Sequence, residues 1–112
     1  MLIYKIFRAS EWAAFDATGT TLGAPVDLAD GFIHFSDGSQ VAQTAAKHFD
    51  RVGDLMLAAF ESDAMGADLR WDISRGGARF PHLYRALGRA EVLWSAELPL
   101  GPAGHIFPAG VL

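Results

Sequence analysis

The stretch DGFIHFS at Asp30–Ser36 decides how this chain is interpreted. Alternation along it predicts a strand, with Phe32, His34 and Ser36 on one face. A second segment of the same kind, FPHLY at Phe80–Tyr84, is predicted to be extended because proline biases the residue before it away from helix. Each segment places one histidine in an apolar and aromatic run, where folding does not require an imidazole. The pair predicts a cleft that is shared by two histidines.

The remaining pattern contains more strands than helices, and the two do not alternate regularly. This is typical of an α+β fold rather than a doubly wound α/β fold. A loop is predicted over Thr18–Asp30, and Ser10 is predicted to cap the first helix. The predicted helices are Glu11–Asp16 and one that starts at Ser36 or Asp37 and ends near Val52, with Ala46 on its buried face; the other predicted strands are Leu2–Phe7, Leu55–Phe60, Leu69–Ile73 and Glu91–Leu98.

Length and composition indicate an ordinary globular protein. The 112 residues, 51% of them hydrophobic and 20% charged, predict a single domain over 1–112 and exclude a disordered tail. The net charge of −4 argues against a general DNA or RNA binder, and the apolar runs are far shorter than the roughly 20 residues of a membrane span. Without cysteine there is neither a disulfide nor a thiolate site. The N-terminus lacks a signal-peptide pattern, so a cytoplasmic location is expected.

The two histidines are the candidate catalytic residues. A neutral imidazole can hydrogen-bond a ligand hydroxyl or act as a general base, and His34 and His82 are placed to do either. The alternative for His34 is a core histidine that is satisfied by backbone carbonyls, with help from Ser36. For His82 the alternative is a packing cluster in which Tyr84 finds a partner for its hydroxyl. The sequence does not separate these alternatives.

Other residues are candidate ligand contacts. Between Arg70 and Arg89 there are five arginines against one acid, a local excess that suits a phosphate-bearing ligand, although solvated arginines paired with acids elsewhere would look the same. Arg75 and Arg79 flank Gly76-Gly77, which offers backbone N–H groups to phosphate or forms a plain turn. The full set of candidate ligand-binding residues is Lys5, Ser36, Trp71, Arg75, Arg79 and Tyr84.

A metal site is not predicted. His34, His82 and Asp72 together are conceivable as ligands, but no motif with the fixed spacing of metal ligands is present. The chain also lacks a nucleophile elbow and both phosphate-loop fingerprints.

Nearly the whole chain resembles the bacterial DUF952 family of small proteins of unknown function. The resemblance is carried, in order, by Ile3–Ile6, Glu11-Trp12, Asp30–Ser36, Leu69–Asp72 and Phe80–Tyr84. It implies a fold like that of the ADP-ribosyltransferases, with split antiparallel sheets and two or three short helices. The segment Gly31–Ser36 and the helix after it look like the strand and Ser-rich helix of the poly-ADP-ribose polymerases.

The same resemblance implies a ligand. In that superfamily a histidine on the first strand binds the ribose of NAD, and an aromatic residue or second histidine on a later strand supports nicotinamide. Many DUF952 sequences have histidine where this chain has Lys5, which would then sit at the ribose-binding place. Lysine cannot imitate a neutral imidazole at pH 7. For the glutamate that many transferases use, Glu91 and Glu97 are candidates by order along the chain only.

Three hypotheses follow. The first is a domain that binds NAD or a related nucleotide, with ADP-ribosyl transfer or cleavage of a C–N glycosidic bond if it is active; NAD would then be a substrate. The second is a non-catalytic module of the same fold that binds a protein or a metabolite. The third is a small hydrolase or isomerase that uses His34 and His82 as an acid–base pair.

Overall fold

The fold consists of antiparallel sheets and three α-helices, which confirms the α+β class. A computed structural model describes residues 1–112, apart from the side chain of Arg75. Within the described chain the helices are α1 (Ala9–Thr18), α2 (Pro25–Asp30) and α3 (Val41–His48). The strands are β1 (Leu2–Arg8), β2 (Thr20–Thr21), β3 (Ile33–His34), β4 (Ser36–Asp37), β5 (Leu55–Glu61), β6 (Leu69–Ile73), β7 (Arg79–Leu83), β8 (Leu87–Gly88), β9 (Trp94–Leu98), β10 (Leu100–Gly101) and β11 (Gly104–His105).

The larger sheet has the strand order β4-β1-β5-β9, and all of its ladders are antiparallel. The predicted strands Leu2–Phe7 and Leu55–Phe60 are confirmed as its two central members. In β5 five of the seven residues are buried, which explains why its sequence is continuously apolar rather than alternating. The two faces of this sheet therefore support two separate cores.

One core lies between the larger sheet, α1 and a second sheet of order β3-β7-β6. The other core lies on the opposite face of the larger sheet, against α3 and the C-terminal segment. Alternation along β1 sends Ile3 and Phe7 into the first core, and Tyr4 and Ile6 into the second. Lys5 shares its face with Ile3 and Phe7, so its ammonium group is directed between the two sheets.

Of the segment Asp30–Ser36, predicted as one strand, only Ile33–His34 forms β3, and Ser36 begins β4, which belongs to the other sheet. β3 pairs with β7, where His34 is the register partner of His82, whereas β4 pairs with β1 at Ile3 and Tyr4. The chain crosses between the sheets at Phe35, whose N–H donates to the carbonyl of Pro81 at 3.0 Å. The histidines are thus cross-strand neighbours, as the cleft prediction requires.

The outer edge of β1 is open beyond this crossing. Among the described ladders β4 pairs with β1 only at Ile3 and Tyr4, and no strand covers Lys5–Arg8 on that side. On the other side Lys5 is the register partner of Ala58. Because Ala58 is small, the long side chain of Lys5 has room beside it. This uncovered edge is where the cavity described below is found.

The prediction of a loop over Thr18–Asp30 is wrong, because the segment contains β2 and α2. Pro25 stands at the first helical position, where its missing N–H costs nothing. Asp27, at the third position, accepts a hydrogen bond from the N–H of Ala24 at 2.8 Å. Gly31 ends the helix in the left-handed conformation, with φ +86°. These are ordinary helix signals in a helix of only six residues.

Three boundaries also differ from prediction. Ser10 lies inside α1 rather than capping it, because β1 continues into the helix and Glu11 accepts from the N–H of Arg8 at 3.0 Å. Ser36 and Asp37 are paired in β4, so the following helix begins later and ends at His48 rather than near Val52, with Ala46 exposed. Glu91 lies in a 3₁₀ turn before β9.

In the described chain none of the helices has the length and apolar character needed to cross a bilayer.

Candidate functional site

A cavity of about 280 Å³ lies at the open edge of β1. Its walls are formed by β1, α2, α3 and the strand segments that carry the two histidines. Its polar and charged lining side chains are Lys5, Arg8, Asp27, Asp30, His34, Ser36, Thr44, Lys47, His48, Ser74 and His82. Apolar and aromatic side chains, among them Val26, Phe35, Phe49 and Phe80, complete the lining. An apolar cavity with a few convergent polar groups is the usual form of a small-molecule site.

Asp27 is the centre of the polar network. Its carboxylate is 1% exposed, yet four donors reach it from three different segments. The ammonium of Lys5 donates to Oδ2 at 2.8 Å, and the N–H of Ala24 donates to the same oxygen. The backbone N–H of His34 donates to Oδ1 at 3.1 Å, and the ring Nδ1 of His34 lies 2.5 Å from that oxygen. The site is therefore tied to the helix α2, which brings Asp27 to it.

The electrostatics keep Asp27 ionised. Burial by itself would raise the pKa of this carboxyl group, but the hydrogen bond from His34 and the charge of Lys5 together lower it to about 2. A carboxylate buried to this extent is tolerated because it is both paired and hydrogen-bonded. Lys5 is thus the partner of a buried acid rather than a solvated cation. Its ammonium group has three N–H donors, of which one donates to Asp27 and one makes a longer contact, 3.4 Å, with the carbonyl of His34.

His34 is held between two carboxylates. Its Nδ1 faces Asp27 and its Nε2 lies 3.0 Å from Oδ2 of Asp30, four residues earlier. Each ring nitrogen therefore faces a carboxylate oxygen, and a ring that donated to both would have to carry a proton on each nitrogen. About a third of the side chain is exposed. The alternative in which backbone carbonyls satisfy the His34 ring is not what this geometry shows.

His82 is in a different state. Its Nδ1 lies 2.9 Å from Oδ2 of Asp72 and therefore donates, which leaves Nε2 as an acceptor in the neutral ring. Burial lowers the pKa of His82, against the opposing effect of the hydrogen bond to Asp72. Nε2 is buried and has no hydrogen-bond partner among the described protein atoms. The two histidines, with ring centroids 5.2 Å apart, therefore differ in charge and in what they offer a ligand.

Phe32 and Tyr84 hold the ring of His82 from outside the cavity. The Phe32 ring stacks on His82 at 4.1 Å and contacts Tyr84 at 5.2 Å. The hydroxyl of Tyr84 donates to Oδ2 of Asp72 at 2.5 Å, which together with the hydrogen bond from His82 lowers the pKa of Asp72 and raises that of Tyr84. Tyr84 has thus found the hydroxyl partner that the packing alternative expected, and it orients Asp72 rather than lining the cavity.

The predicted site residues fall into two groups. Lys5, His34, Ser36 and His82 meet at the cavity; the hydroxyl of Ser36 is 2.7 Å from that of Thr44 on α3. Trp71, Arg79 and Tyr84 lie outside the lining.

The predicted phosphate loop lies apart from the histidines. Arg79 is exposed and donates to the carbonyl of Trp71 at 3.2 Å. Gly76 and Gly77 form a turn with positive φ, and of this region only Ser74 reaches the described cavity lining. The side chain of Arg75 is outside the described part of the structure.

The glutamates proposed for transferase chemistry are also away from the cavity. Glu91 pairs with the guanidinium of Arg85 at 2.7 Å, and this hydrogen bond lowers its pKa. Glu97 lies on β9, opposite Met56. The carboxylates that do line the cavity are Asp27 and Asp30.

Sequence reasoning missed the residues that α2, α3 and the end of β1 contribute. The predicted loop Thr18–Asp30 contains Asp27 and Asp30. The helix there could have been found from Pro25, the acid two positions later and Gly31, which together are typical of a short helix. No local sequence pattern indicates that Arg8, Lys47 and His48 belong to a binding site. They reach the site only because α3 packs beside the open edge of β1.

The arrangement is suited to binding and proton transfer. Among the residues whose side chains are described, no cluster of three His, Asp or Glu residues has the arrangement of a metal site. His34 and His82 instead each have their own carboxylate. The site offers a buried, unpartnered Nε2 at His82, a ring at His34 that faces two carboxylates, and the cations Arg8 and Lys47.

Comparison with known proteins gives the family. The model of the family described as "Protein of unknown function (DUF952)" matches residues 6–95. The crystal structure of protein CC0527 from Caulobacter crescentus is 52% identical, with a TM-score of 0.90 over 94% of this chain and 92% of that one. The solution NMR structure of CC0527 is 53% identical, with a TM-score of 0.84 over 93% and 90%. None of the curated proteins matches. The chain therefore belongs to the DUF952 family, whose function is unknown.

Proposed function

We propose that this protein binds a small anionic molecule with hydroxyl groups in the cavity between His34 and His82, and that the leading candidate is the ribose-phosphate part of a nucleotide. The observation that carries the proposal is the Nε2 atom of His82, a buried acceptor with no partner in the described protein. Leaving such a group unpaired costs about 1–3 kcal/mol. A ligand hydroxyl that donates to it would recover that free energy, and because Nε2 is closed to solvent, such a ligand has to displace the side chains that cover this atom.

The charge of the lining supports an anionic ligand. Lys5, Arg8 and Lys47 stand against the two carboxylates Asp27 and Asp30, and the imidazolium form of His34 adds a further positive charge. Lys5 is paired with Asp27 and Arg8 with Glu11, so Lys47 is the lining cation that these two ion pairs leave over, on a molecule whose net charge is −4. A local positive potential raises the concentration and the association rate of anions.

The volume limits the size of the ligand. About 280 Å³ is at the lower end of the range for small-molecule sites, which begins near 300 Å³. A ribose with its phosphate or base is of suitable size, whereas a whole dinucleotide such as NAD would leave part of its length outside. This favours recognition of one nucleoside unit.

ADP-ribosyl transfer remains the finer form of this proposal, and it rests on the resemblance of the family to that superfamily. Cleavage of the C–N bond at ribose needs negative charge near the developing cation. Of the two carboxylates in the cavity, Asp27 is engaged by four donors, so Asp30 is the acid that remains for this role. The geometry therefore supports ligand binding more directly than it supports transfer.

Acid–base catalysis is the second candidate function, and a specific observation favours it. His82 is neutral with a free lone pair on Nε2, while His34 is held as a cation by two carboxylates. Adjacent titratable groups in opposite protonation states are the usual arrangement of a general base and a general acid. Turnover with a bell-shaped pH profile and no need for a nucleotide would identify this activity.

Binding can be tested by calorimetry and tryptophan fluorescence with AMP, ADP-ribose, NAD and ribose 5-phosphate. His82→Phe removes Nε2 and keeps a ring against Phe32, so affinity should fall by about tenfold or more. Arg79→Gln is the matched control, because it changes the loop outside the cavity and should leave Kd unchanged. Loss of binding in Arg79→Gln alone would place the ligand at the Gly76-Gly77 turn and overturn the proposal. So would the absence of binding at millimolar concentrations of all four compounds.

A further inference from the structure

We propose that Nε2 of His34 is the anion subsite of the cavity, and that the carboxylate of Asp30 occupies this subsite until a ligand phosphate or carboxylate replaces it. This inference rests on the proposed function, since it assigns the anionic group of the ligand to one atom of the site.

The two carboxylates on His34 are held in different ways. Asp27 is 1% exposed and is fixed by Lys5 and Ala24 as well as by His34. Asp30 is 47% exposed, and its contact with the ring of His34 is an ion-pair distance of 3.0 Å to Nε2. Removing Asp27 would unpair a buried lysine, whereas moving Asp30 breaks one partly exposed ion pair, a kind of contact that contributes little. Asp30 is therefore the carboxylate that a ligand can replace at low cost.

The position of Asp30 suits such an exchange. It is the last residue of α2 and is followed by Gly31, in the left-handed conformation with φ +86°. A carboxylate at the C-terminal end of a helix is not favoured by the helix dipole, so this acid is not explained by the stability of α2. Its partner is the imidazolium, and the pairing satisfies a ring nitrogen that would otherwise present a charged N–H to the cavity.

An external anion finds the same partner and two further cations. Arg8 and Lys47 line the same cavity as Asp30, and Arg8 is shared with Glu11 at 3.7 Å, so a phosphate at Nε2 of His34 would have these two cations in the same cavity wall. The exchange replaces one anion beside Nε2 with another, so the ring keeps an anionic partner throughout. A neutral ligand gains nothing from it, because no hydroxyl replaces the lost ion pair at equal strength. The subsite thus selects phosphate or carboxylate over uncharged molecules.

The test is Asp30→Asn, which keeps the size of the side chain and removes its charge. Calorimetry with AMP and inorganic phosphate should show about fivefold tighter binding than in the unsubstituted protein, from the loss of an exposed competing ion pair. Adenosine, which lacks the phosphate, should bind equally to both proteins. The double variant Asp30→Asn with His34→Gln should not show this tighter binding of AMP and phosphate. That result would identify the His34 ring as the group that receives the anion.

The outcomes separate this inference from the proposed function. Weaker or unchanged AMP binding in Asp30→Asn, with binding retained in the unsubstituted protein, would overturn the exchange and leave the cavity as the binding site. Equal tightening for adenosine and AMP would also overturn it, since the effect would not depend on the phosphate. Failure of both proteins to bind AMP, phosphate and the other nucleotides would reject the proposed function and the inference with it.

Discussion

His34 and His82 are register partners across the β3–β7 ladder, with ring centroids 5.2 Å apart, and each is held by a carboxylate from a different segment. Asp27 on α2 holds His34, and Asp72 on β6 holds His82. The first ring has a carboxylate at each nitrogen, whereas the second has one carboxylate and an unpartnered Nε2, and its burial lowers its pKa. The two residues are paired on one ladder, but their electrostatic surroundings differ.

The buried ion pair predicts an unequal effect of its two partners on stability. Asp27→Asn leaves the ammonium of Lys5 buried without an opposite charge and should lower the free energy of unfolding by about 3 kcal/mol or more. Lys5→Met leaves Asp27 with its hydrogen bonds from Ala24 and His34, so the loss should be smaller. Urea unfolding of both variants at pH 7 measures the difference. A larger loss in Lys5→Met would contradict this account of the network.

The same carboxylate predicts part of the acid unfolding. The pKa of Asp27 is lowered in the fold to about 2, below the unfolded value near 3.8. Its contribution, roughly 2 kcal/mol, is present above about pH 4 and is lost as the pH falls toward 2. The free energy of unfolding measured between pH 5 and pH 2 should therefore fall less steeply in Asp27→Asn. Parallel curves for the two proteins would show that Asp27 is not the group that titrates.

His82 predicts a second pH effect, of the same sign but nearer neutrality. Burial lowers its pKa below the usual value of 6.5, so the unfolded chain takes up a proton at a higher pH than the folded protein. Its contribution to stability is present above about pH 6.5 and is lost as the pH falls through the folded pKa. NMR titration of the ring nitrogens should show a midpoint below 6.5 and a proton on Nδ1. A proton on Nε2 in the neutral ring would remove the acceptor on which the proposed function depends.

Gly23 predicts how tightly Asp27 is seated. A Cβ at Gly23 would lie 2.4 Å from Oδ2 of Asp27, and its φ is +105°. Gly19 provides a matched control, because its φ of +82° is equally unfavourable for alanine but no atom lies within 4 Å of its Cβ position. Gly19→Ala should cost about 1 kcal/mol from backbone strain alone. Gly23→Ala should lower the free energy of unfolding clearly more, as measured by urea unfolding, and should weaken ligand binding, as measured by calorimetry. Equal losses of stability in the two variants would mean that Asp27 can move away from position 23 without cost.

Tyr84 predicts an electrostatic change without a large structural one. Its hydroxyl is the main reason that the pKa of Asp72 is lowered, so Tyr84→Phe should raise that pKa toward its ordinary value. The ring still contacts Phe32, and the cavity lining is unchanged. NMR titration of the Asp72 carboxyl measures the shift, and calorimetry should give the same Kd as before. Loss of ligand binding would show that Tyr84 itself contacts the ligand.

The sequence by itself determined the strands β1, β5 and β6, the α+β class and the family. These depend on local alternation or on continuous apolar runs, which are readable one segment at a time. It also placed each histidine in an extended segment, at an alternating position in a short aromatic run, whereas the pairing of the two strands is known from the structure. Alternation along Leu2–Phe7 likewise puts the charge of Lys5 on one strand face with Ile3 and Phe7.

Only the tertiary structure decided what those residues do. Asp27 is 22 positions from Lys5 and seven from His34, and it meets both because α2 folds against the open edge of β1. The charge states of the two histidines depend on burial and on carboxylates from other segments, which no local pattern encodes. The presence of both Arg8 and Lys47 in the cavity lining depends in the same way on α3 packing beside β1. Hydrophobic periodicity is a local property of the chain, whereas a pKa and a hydrogen-bond network belong to the assembled fold.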